Sequence, residues 1–238
     1  MSEELYFVTA ERQRIQTEYA RRQRSIRSDL YAHWNPAQML ASAGRTCTAA
    51  AMLHEADVFP GIGDQCLEVG FGSLGWLGQL IGWGVPETQL HGIEVDWFRA
   101  QRARASLPGA DLRVGDATSL PWGDNSFKLV ISSTVFTSIL DARVREIMAA
   151  EIERVLAPGG ALLWYDFAVN NPKNKQVRKV GRKELQQLFP QLSGNVESVT
   201  LAPPLARFVT PRSWTLATLL ETVPLLRTHL LAVLVKAS

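Results

Sequence analysis

Gly70-Phe71-Gly72-Ser73-Leu74-Gly75 follows directly on Cys66-Leu67-Glu68-Val69, so a short apolar run ends in an acid and then turns on glycine. Glycine admits left-handed backbone and leaves its N–H groups open to a close ligand. The spacing is G-x-G-x-x-G, the pattern of a turn that delivers a dinucleotide to a helix N-terminus. Trp76-Leu77-Gly78-Gln79-Leu80-Ile81 is placed to begin that helix. Glu68 is not something a pyrophosphate turn requires. A carboxylate there suits a ligand with a positively charged amino-acid end, and the plain alternative is a solvated strand end.

Further acids recur at the ends of apolar runs. Glu94 closes His91-Gly92-Ile93-Glu94, 24 residues after Gly70. That is near the ~20 residues expected for an acid on ribose hydroxyls, in NAD or in another adenosine ligand. Asp96 reads as a helix N-cap. Asp116, in Gly115-Asp116-Ala117, can accept a hydrogen bond from an exocyclic amine or can simply form a turn. Val155-Leu156-Ala157-Pro158-Gly159-Gly160 reads as a helix stop and tight turn, away from any ligand.

The elements that must hold these residues alternate between strand and helix. Strands are predicted at 65–69, 89–95, 111–114, 127–133 and 160–167, with helices at 75–83, 97–106 and 141–156. Runs such as Leu129-Val130-Ile131 are apolar throughout, as strands covered on both faces are, so the sheet is expected to be parallel. Residues 1–58 read as helical, broken at Asn35-Pro36. Beyond 168 come a polar loop, a basic stretch, strands at 196–201 and 230–235, and a Trp- and Leu-rich helix near 211–223.

Composition narrows the classes. The chain has 238 residues and a net charge of only +2, which argues against a nucleic-acid partner. Cys47 and Cys66 make no disulfide framework, and His33, His54, His91 and His229 have no metal-ligand spacing, so no metal is expected. No apolar stretch reaches the ~20 residues of a membrane span. The start of the chain is polar and Arg-rich rather than signal-like, so a cytoplasmic protein without a membrane is expected.

Leu67-Glu68-Val69-Gly70-Phe71-Gly72, Gly92-Ile93-Glu94, Gly115-Asp116-Ala117 with Leu120-Pro121 and Ser126-Phe127, and Arg154-Val155-Leu156-Ala157-Pro158-Gly159-Gly160 come in this order. The series resembles the class I S-adenosylmethionine-dependent methyltransferases over about 62–168. The resemblance implies an α/β, Rossmann-like fold. Its seven-stranded, mostly parallel sheet has helices on both faces, an antiparallel last strand and an N-terminal helical cap. It implies Glu68, Gly70 and Gly72 near the cofactor's methionine part, and Glu94 with Val95 at the ribose. It also implies Asp116 and Ala117 at the adenine. Ser132-Ser133-Thr134-Val135-Phe136, ending the fourth strand at the carboxyl edge of the sheet, should lie beside the transferable methyl group. The cofactor is then S-adenosyl-L-methionine, with S-adenosyl-L-homocysteine as product. The family usually has a third glycine where this chain has Leu74; here Gly75 comes one place later.

The expected domains are a cap at 1–58 and a cofactor-binding domain at 59–238, with an insertion at 203–228 between the last two strands. The cap and the insertion are expected to cover the active site. Leu205, Phe208, Trp214 and Leu219 of the insertion suit a substrate wall, a homodimer contact or ordinary core. Asp166, at the end of Trp164-Tyr165-Asp166, is a candidate base, a substrate hydrogen-bond acceptor or a turn cap, and His33 a candidate base or a structural histidine. The segment 165–172 resembles a bacterial subgroup linked to natural-product or surface-sugar clusters. Basic stretches, Arg12 to Arg27 and Lys173 to Lys183, are solvated faces unless they border one cleft and attract an anionic substrate. The expected activity is O- or N-methylation of a small molecule; an NAD(P)-dependent oxidoreductase and an RNA methyltransferase are the alternatives.

Overall fold

The computed structural model describes residues 3–25, 28–171 and 174–237. Arg27, Pro172 and Lys173 lie outside the described residues. Helices α1 (Glu3–Ser25) and α2 (Pro36–Glu55) precede the sheet. Asn35 is the N-cap of α2: its side chain accepts from the N–H groups of Ala37 and Gln38, and Pro36 fills the first helical position. The Asn-Pro break is therefore a helix start.

The sheet and its helices follow as β1 (Cys66–Val69), α3 (Leu77–Gly82), β2 (Leu90–Glu94), α4 (Trp97–Ser106), β3 (Asp111–Val114), β4 (Phe127–Ser133), α5 (Ala142–Val155) and β5 (Leu156–Phe167). After these come α6 (Arg182–Leu188), β6 (Leu192–Leu201), α7 (Pro203–Val209), α8 (Trp214–Glu221) and β7 (Arg227–Lys236). The strand order is β3-β2-β1-β4-β5-β7-β6, seven strands in one sheet. β1 pairs in parallel with both β2 and β4, while β7 runs antiparallel between β5 and β6. The order reverses between β1 and β4, so the loops leaving their carboxyl ends diverge and open a crevice there.

Alternation along the strands fills two cores. Leu129 and Ile131 of β4 face one cluster, which holds Met52, Leu53, Leu77, Leu80, Ala100 and Ala103 from α2, α3 and α4. Val130 faces the other, with Val144, Met148, Ile152 and Val155 of α5. Phe127 joins the second cluster because the register with β5 shifts between Phe127 and Leu129. That shift corrects the sequence reading of 155–160. The Pro-Gly-Gly segment is not a free turn between helix and strand; it is a bulged start of β5, with Leu156 already opposite Phe127. Gly160 fits there because a side chain would run into the carbonyl oxygens of Ala157 and Lys128.

The insertion holds α7 and α8 rather than one helix. Ala206, Val209 and Ala217 pack with Ala37 and Leu40 of α2 in a third small core. Leu205 packs against this core, whereas Phe208, Trp214 and Leu219 are exposed. None of these four lines either of the cavities described below. Among the described residues no helix is long and apolar enough to cross a membrane.

Candidate functional site

The crevice at the carboxyl ends of β1 and β4 is a cavity of about 380 Å³. Glu68, Gly70, Gly72, Glu94, Val95, Asp116 and Ala117, seven of the eight residues expected at a cofactor, line it together. Ser132 does not: it is buried in β4 with its hydroxyl unpartnered, and the next residues, Ser133 and Thr134, reach the cavity instead. The alternation of side chains along a strand makes that difference of one residue decisive.

The glycine turn takes its path from three left-handed residues, Gly70, Gly72 and Gly75, at φ 73°, 61° and 52°. A Cβ at Gly70 would come 2.5 Å from Val135, while none of the described residues stands within 4 Å of one at Gly72. Glu68 closes the turn from below. One carboxylate oxygen accepts from the N–H groups of Trp76 (2.7 Å) and Leu77 (3.1 Å), the start of α3. The late glycine is explained here, since a side chain at 75 would collide with that carboxylate. Burial raises the Glu68 pKa to about 8, against the lowering effect of those two N–H groups and of Arg45.

Glu94 binds the turn from the other strand. Its oxygens accept from Gly72 N–H at 2.8 Å and Asp96 N–H at 2.9 Å, and burial raises its pKa. Asp96 caps α4 through Arg99 N–H. Asp116 Oδ1 accepts from the N–H and hydroxyl of Thr118, a local turn, while among the described residues Oδ2 takes no hydrogen bond.

Helix α1 lies across the opening, with Val8, Glu11, Arg12, Ile15 and Tyr19 in the lining. Glu11 fixes it by accepting from Leu140 N–H. Arg14 extends it to the loop before α6, donating to Gln176 at 2.9 Å and to the Ser138 carbonyl. Four of the basic residues there are paired: Arg14 with Glu11, Arg21 and Arg22 with Glu18, and Arg178 with Glu184.

His33 lines the same cavity. Asp166 lines neither cavity. It is fully buried, accepting from Thr137 N–H (3.0 Å), the Thr137 hydroxyl (2.5 Å) and Phe167 N–H (3.0 Å). Burial raises its pKa to about 6. Of the roles open to Asp166 (base, substrate hydrogen-bond acceptor, cap), these bonds suit the cap: they tie the end of β5 to the loop after β4.

A second cavity, of about 340 Å³, adjoins the first. Tyr19, Gln38, Ser42, Arg45, Arg99 and Thr134 line both. Thr134 sits at this neck with φ 57°, a left-handed conformation costly for a β-branched residue. Its N–H donates to the Tyr165 carbonyl at 2.7 Å, which holds it there. Arg45 was missed by motif reasoning, although it is the only formally charged residue of α2 before His54 and Glu55. Its guanidinium lies 4.7 Å from the Trp76 ring centre and 5.1 Å from that of Tyr165. Arg99 stands over Tyr19 at 4.1 Å.

The donors and acceptors suit an adenosine that carries a free amino-acid end. Gly72 leaves open space, the indole N–H of Trp76 is buried without a partner, and Glu68 is a buried carboxylate able to meet an ammonium. Among the described residues no group of three or more His, Cys, Asp or Glu is arranged to hold a metal ion.

Residues 66–160 match the family described as a methyltransferase domain. Comparison with curated proteins gives no match. Among solved structures, the chain is similar to the Streptomyces coelicolor A3(2) geranyl diphosphate C-methyltransferase, crystallised with Mg2+, geranyl diphosphate and S-adenosyl-L-homocysteine. That match has a TM-score of 0.61 at 12% identity, over 81% of this chain and 78% of that one. A chain of the complex of the Haloferax volcanii Trm112 methyltransferase activator with its partner matches at TM-score 0.59 and 21% identity, over 90% and 100%. The Haemonchus contortus phosphoethanolamine N-methyltransferase 2, in complex with S-adenosyl-L-methionine, matches at 0.58 and 18%, over 81% of this chain and 53% of that one.

Proposed function

We propose that this chain, whose residues 66–160 match a methyltransferase domain, is an S-adenosylmethionine-dependent methyltransferase that methylates an oxygen or nitrogen of a small molecule. The acceptor class in view is of secondary-metabolite or sugar type. The observation that carries the reading is the pair of adjoining cavities: one built of glycine turn and acids at the switch point, the other sharing a wall with it. The first has the volume of a small-ligand pocket.

The first cavity holds the cofactor in this reading. When bound, S-adenosyl-L-methionine supplies an electrophilic methyl group on a sulfonium. Glu68 would face the ammonium, Glu94 the ribose hydroxyls, and Asp116 with Ala117 N–H the adenine. Helix α1 excludes water above the site with Ile15 and Tyr19. The neck residues Tyr19, Gln38, Ser42 and Thr134 present hydroxyl and amide groups that orient an acceptor for in-line attack, where positioning supplies several kcal/mol. His33 is the titratable group of the lining that can take a proton from a hydroxyl acceptor. With α2, α7 and α1 around these cavities, residues 1–58 and 203–228 act as the cap of a domain at 59–238. A cytoplasmic protein acting on a soluble metabolite is consistent with this reading.

Calorimetry with S-adenosylhomocysteine and with NADH tests the assignment. Micromolar binding of the first, lost in Glu94→Ala, with no binding of NADH, is expected. The reverse preference would make the chain an oxidoreductase, and no binding of S-adenosylhomocysteine at millimolar concentration would sink the proposal. Transfer of labelled methyl groups to tRNA, with steep salt dependence of binding, would replace the small-molecule acceptor by RNA.

A further inference from the structure

The two cavities differ in charge. The first is lined by Glu11, Glu68, Glu94 and Asp116 as well as by arginines. The second is lined by Arg22, Arg45, Arg99 and Arg207 and, among the described residues, by no Asp or Glu. Arg22 is committed to Glu18 at 2.8 Å. Among the described residues the guanidiniums of Arg45, Arg99 and Arg207 make no ion pair, and their recorded partners are the rings of Trp76 and Tyr165, of Tyr19, and of Tyr31. The Nε of Arg45 is buried and has no hydrogen-bond partner among the described residues.

Arg45 and Arg99 are half-buried and lose part of their solvation, a cost that a bound anion relieves, while Arg207 is exposed and adds charge of the same sign. The carboxylates electrostatically nearest to Arg45 and Arg99 are not free to do this. Glu68 and Glu94 belong to the first cavity and are engaged by the N–H groups of Trp76, Leu77, Gly72 and Asp96. His229 reports the same field. It lines the second cavity, stacked on Tyr165 at 4.8 Å and against Phe167 at 4.0 Å. Its pKa is lowered to about 3, first by burial and then by the charge of Arg45. A cation is unwelcome there, and the imidazole stays a neutral flat wall.

We infer that the second cavity is the acceptor site and that it takes an organic anion, a carboxylate or phosphate monoester. Arg99 and Arg207 would hold the anionic group, and the methyl-accepting atom would lie at the neck beside Tyr19 and Thr134. Guanidinium forks match both oxyanions, and charge-assisted bonds of this kind are about twice as strong as neutral ones. The aromatic wall of Tyr165, Phe167 and His229 packs a ring or chain attached to that group. This rests on the methyltransferase reading only for the word acceptor; the anion site stands on the second cavity alone.

The test uses the full chain and three matched probes, benzoate, phenyl phosphate and benzamide, followed by ligand-observed NMR with and without saturating S-adenosylhomocysteine. Benzoate or phenyl phosphate is expected to bind at least about tenfold more tightly than benzamide. The stronger of the two identifies the class. Arg207 lines only the second cavity, so Arg207→Gln is expected to weaken the anion several-fold and to leave S-adenosylhomocysteine affinity within about twofold. Arg207→Lys should restore part of the loss. Equal affinity for acid and amide, or no binding of any probe, while S-adenosylhomocysteine binds, overturns the anion site. A protein that prefers the acids but does not bind S-adenosylhomocysteine overturns the methyltransferase reading and leaves the anion site standing.

Discussion

The carboxylate of Glu68 occupies the space that a side chain at Gly75 would need. The two residues are one device: the acid at the end of β1 closes the start of α3, and the glycine lets the chain pass over it. Left-handed backbone costs a non-glycine residue about 1–2 kcal/mol. Gly75→Ala adds to this the displacement of Glu68 from Trp76 and Leu77 N–H. Gly72, at φ 61°, has open space where a Cβ would stand and carries only the backbone cost. Denaturant titration should show Gly75→Ala less stable than Gly72→Ala, and calorimetry should show its S-adenosylhomocysteine affinity reduced about tenfold or more. Equal stability of the two variants would refute the lock between Glu68 and Gly75.

Glu68 also sets a pH dependence. Its folded pKa, about 8, lies above its ordinary value of 4.5. A carboxyl raised in this way favours folding below its unfolded pKa, and that contribution is lost as pH rises through the folded value. Melting of the unliganded protein should therefore fall across the window from 4.5 to about 8. Glu68→Gln keeps an acceptor for Trp76 and Leu77 N–H and removes the ionisation, so its melting profile should be flatter and higher near pH 8. The same variant should bind S-adenosylhomocysteine more weakly, because the charge that costs stability is the one offered to the ammonium. A slope unchanged in Glu68→Gln would assign the pH dependence to another group.

Arg145 illustrates a structural arginine of the kind that motif reading passes over. It is fully buried, donates to the carbonyls of Ile139 (2.7 Å) and Arg178 (3.1 Å), and pairs with Glu184 at 2.6 Å. It ties α5 to α6 and to the loop before α6. Removing one partner of a buried pair costs about 3–5 kcal/mol, and partial exposure of Glu184 places Arg145→Met at the lower end. Chemical denaturation should show a loss of roughly 3 kcal/mol, with S-adenosylhomocysteine affinity unchanged at a temperature where the variant is folded. A neutral result would show that the packed methionine replaces the pair.

Sequence periodicity placed β3, β4 and α4 at their observed limits, because each is bounded by strong signals: Gly115 after β3, Asp96 before α4, and an unbroken apolar run in β4. The acids at strand ends were legible for the same reason, since spacing after the glycine turn carries a chemical meaning. The second cavity was not legible. It is assembled from α1, α2, α7 and the ends of β5 and β7, residues as far apart in sequence as Tyr19, Arg99, Arg207 and His229. No local pattern encodes such a meeting. Helix α6 was hidden in a basic stretch, where charge obscured a helix that buries Leu185. Within 132–136, Ser133, Thr134 and Val135 line the first cavity and Ser132 does not, because strand alternation depends on register, which a single sequence leaves open by one residue.

Asp166 offers a direct contrast between a base and a strut. A base would face the neck, and Asp166 instead spends its oxygens on Thr137 and Phe167. Asp166→Asn keeps one acceptor for Thr137 N–H, and the Thr137 hydroxyl can turn to accept from the new amide. Its folded pKa of about 6 lies above the ordinary 3.8, so its contribution to stability is present below about pH 4 and lost as pH rises through 6. The variant should lose that part of the melting slope and keep the part due to Glu68 at higher pH. With any acceptor that turns over, methyl transfer by Asp166→Asn should stay within about threefold of the parent, whereas loss of a general base costs about 10²–10⁴. A fall of that size with cofactor affinity intact would return Asp166 to the chemistry and require the loop after β4 to open during turnover.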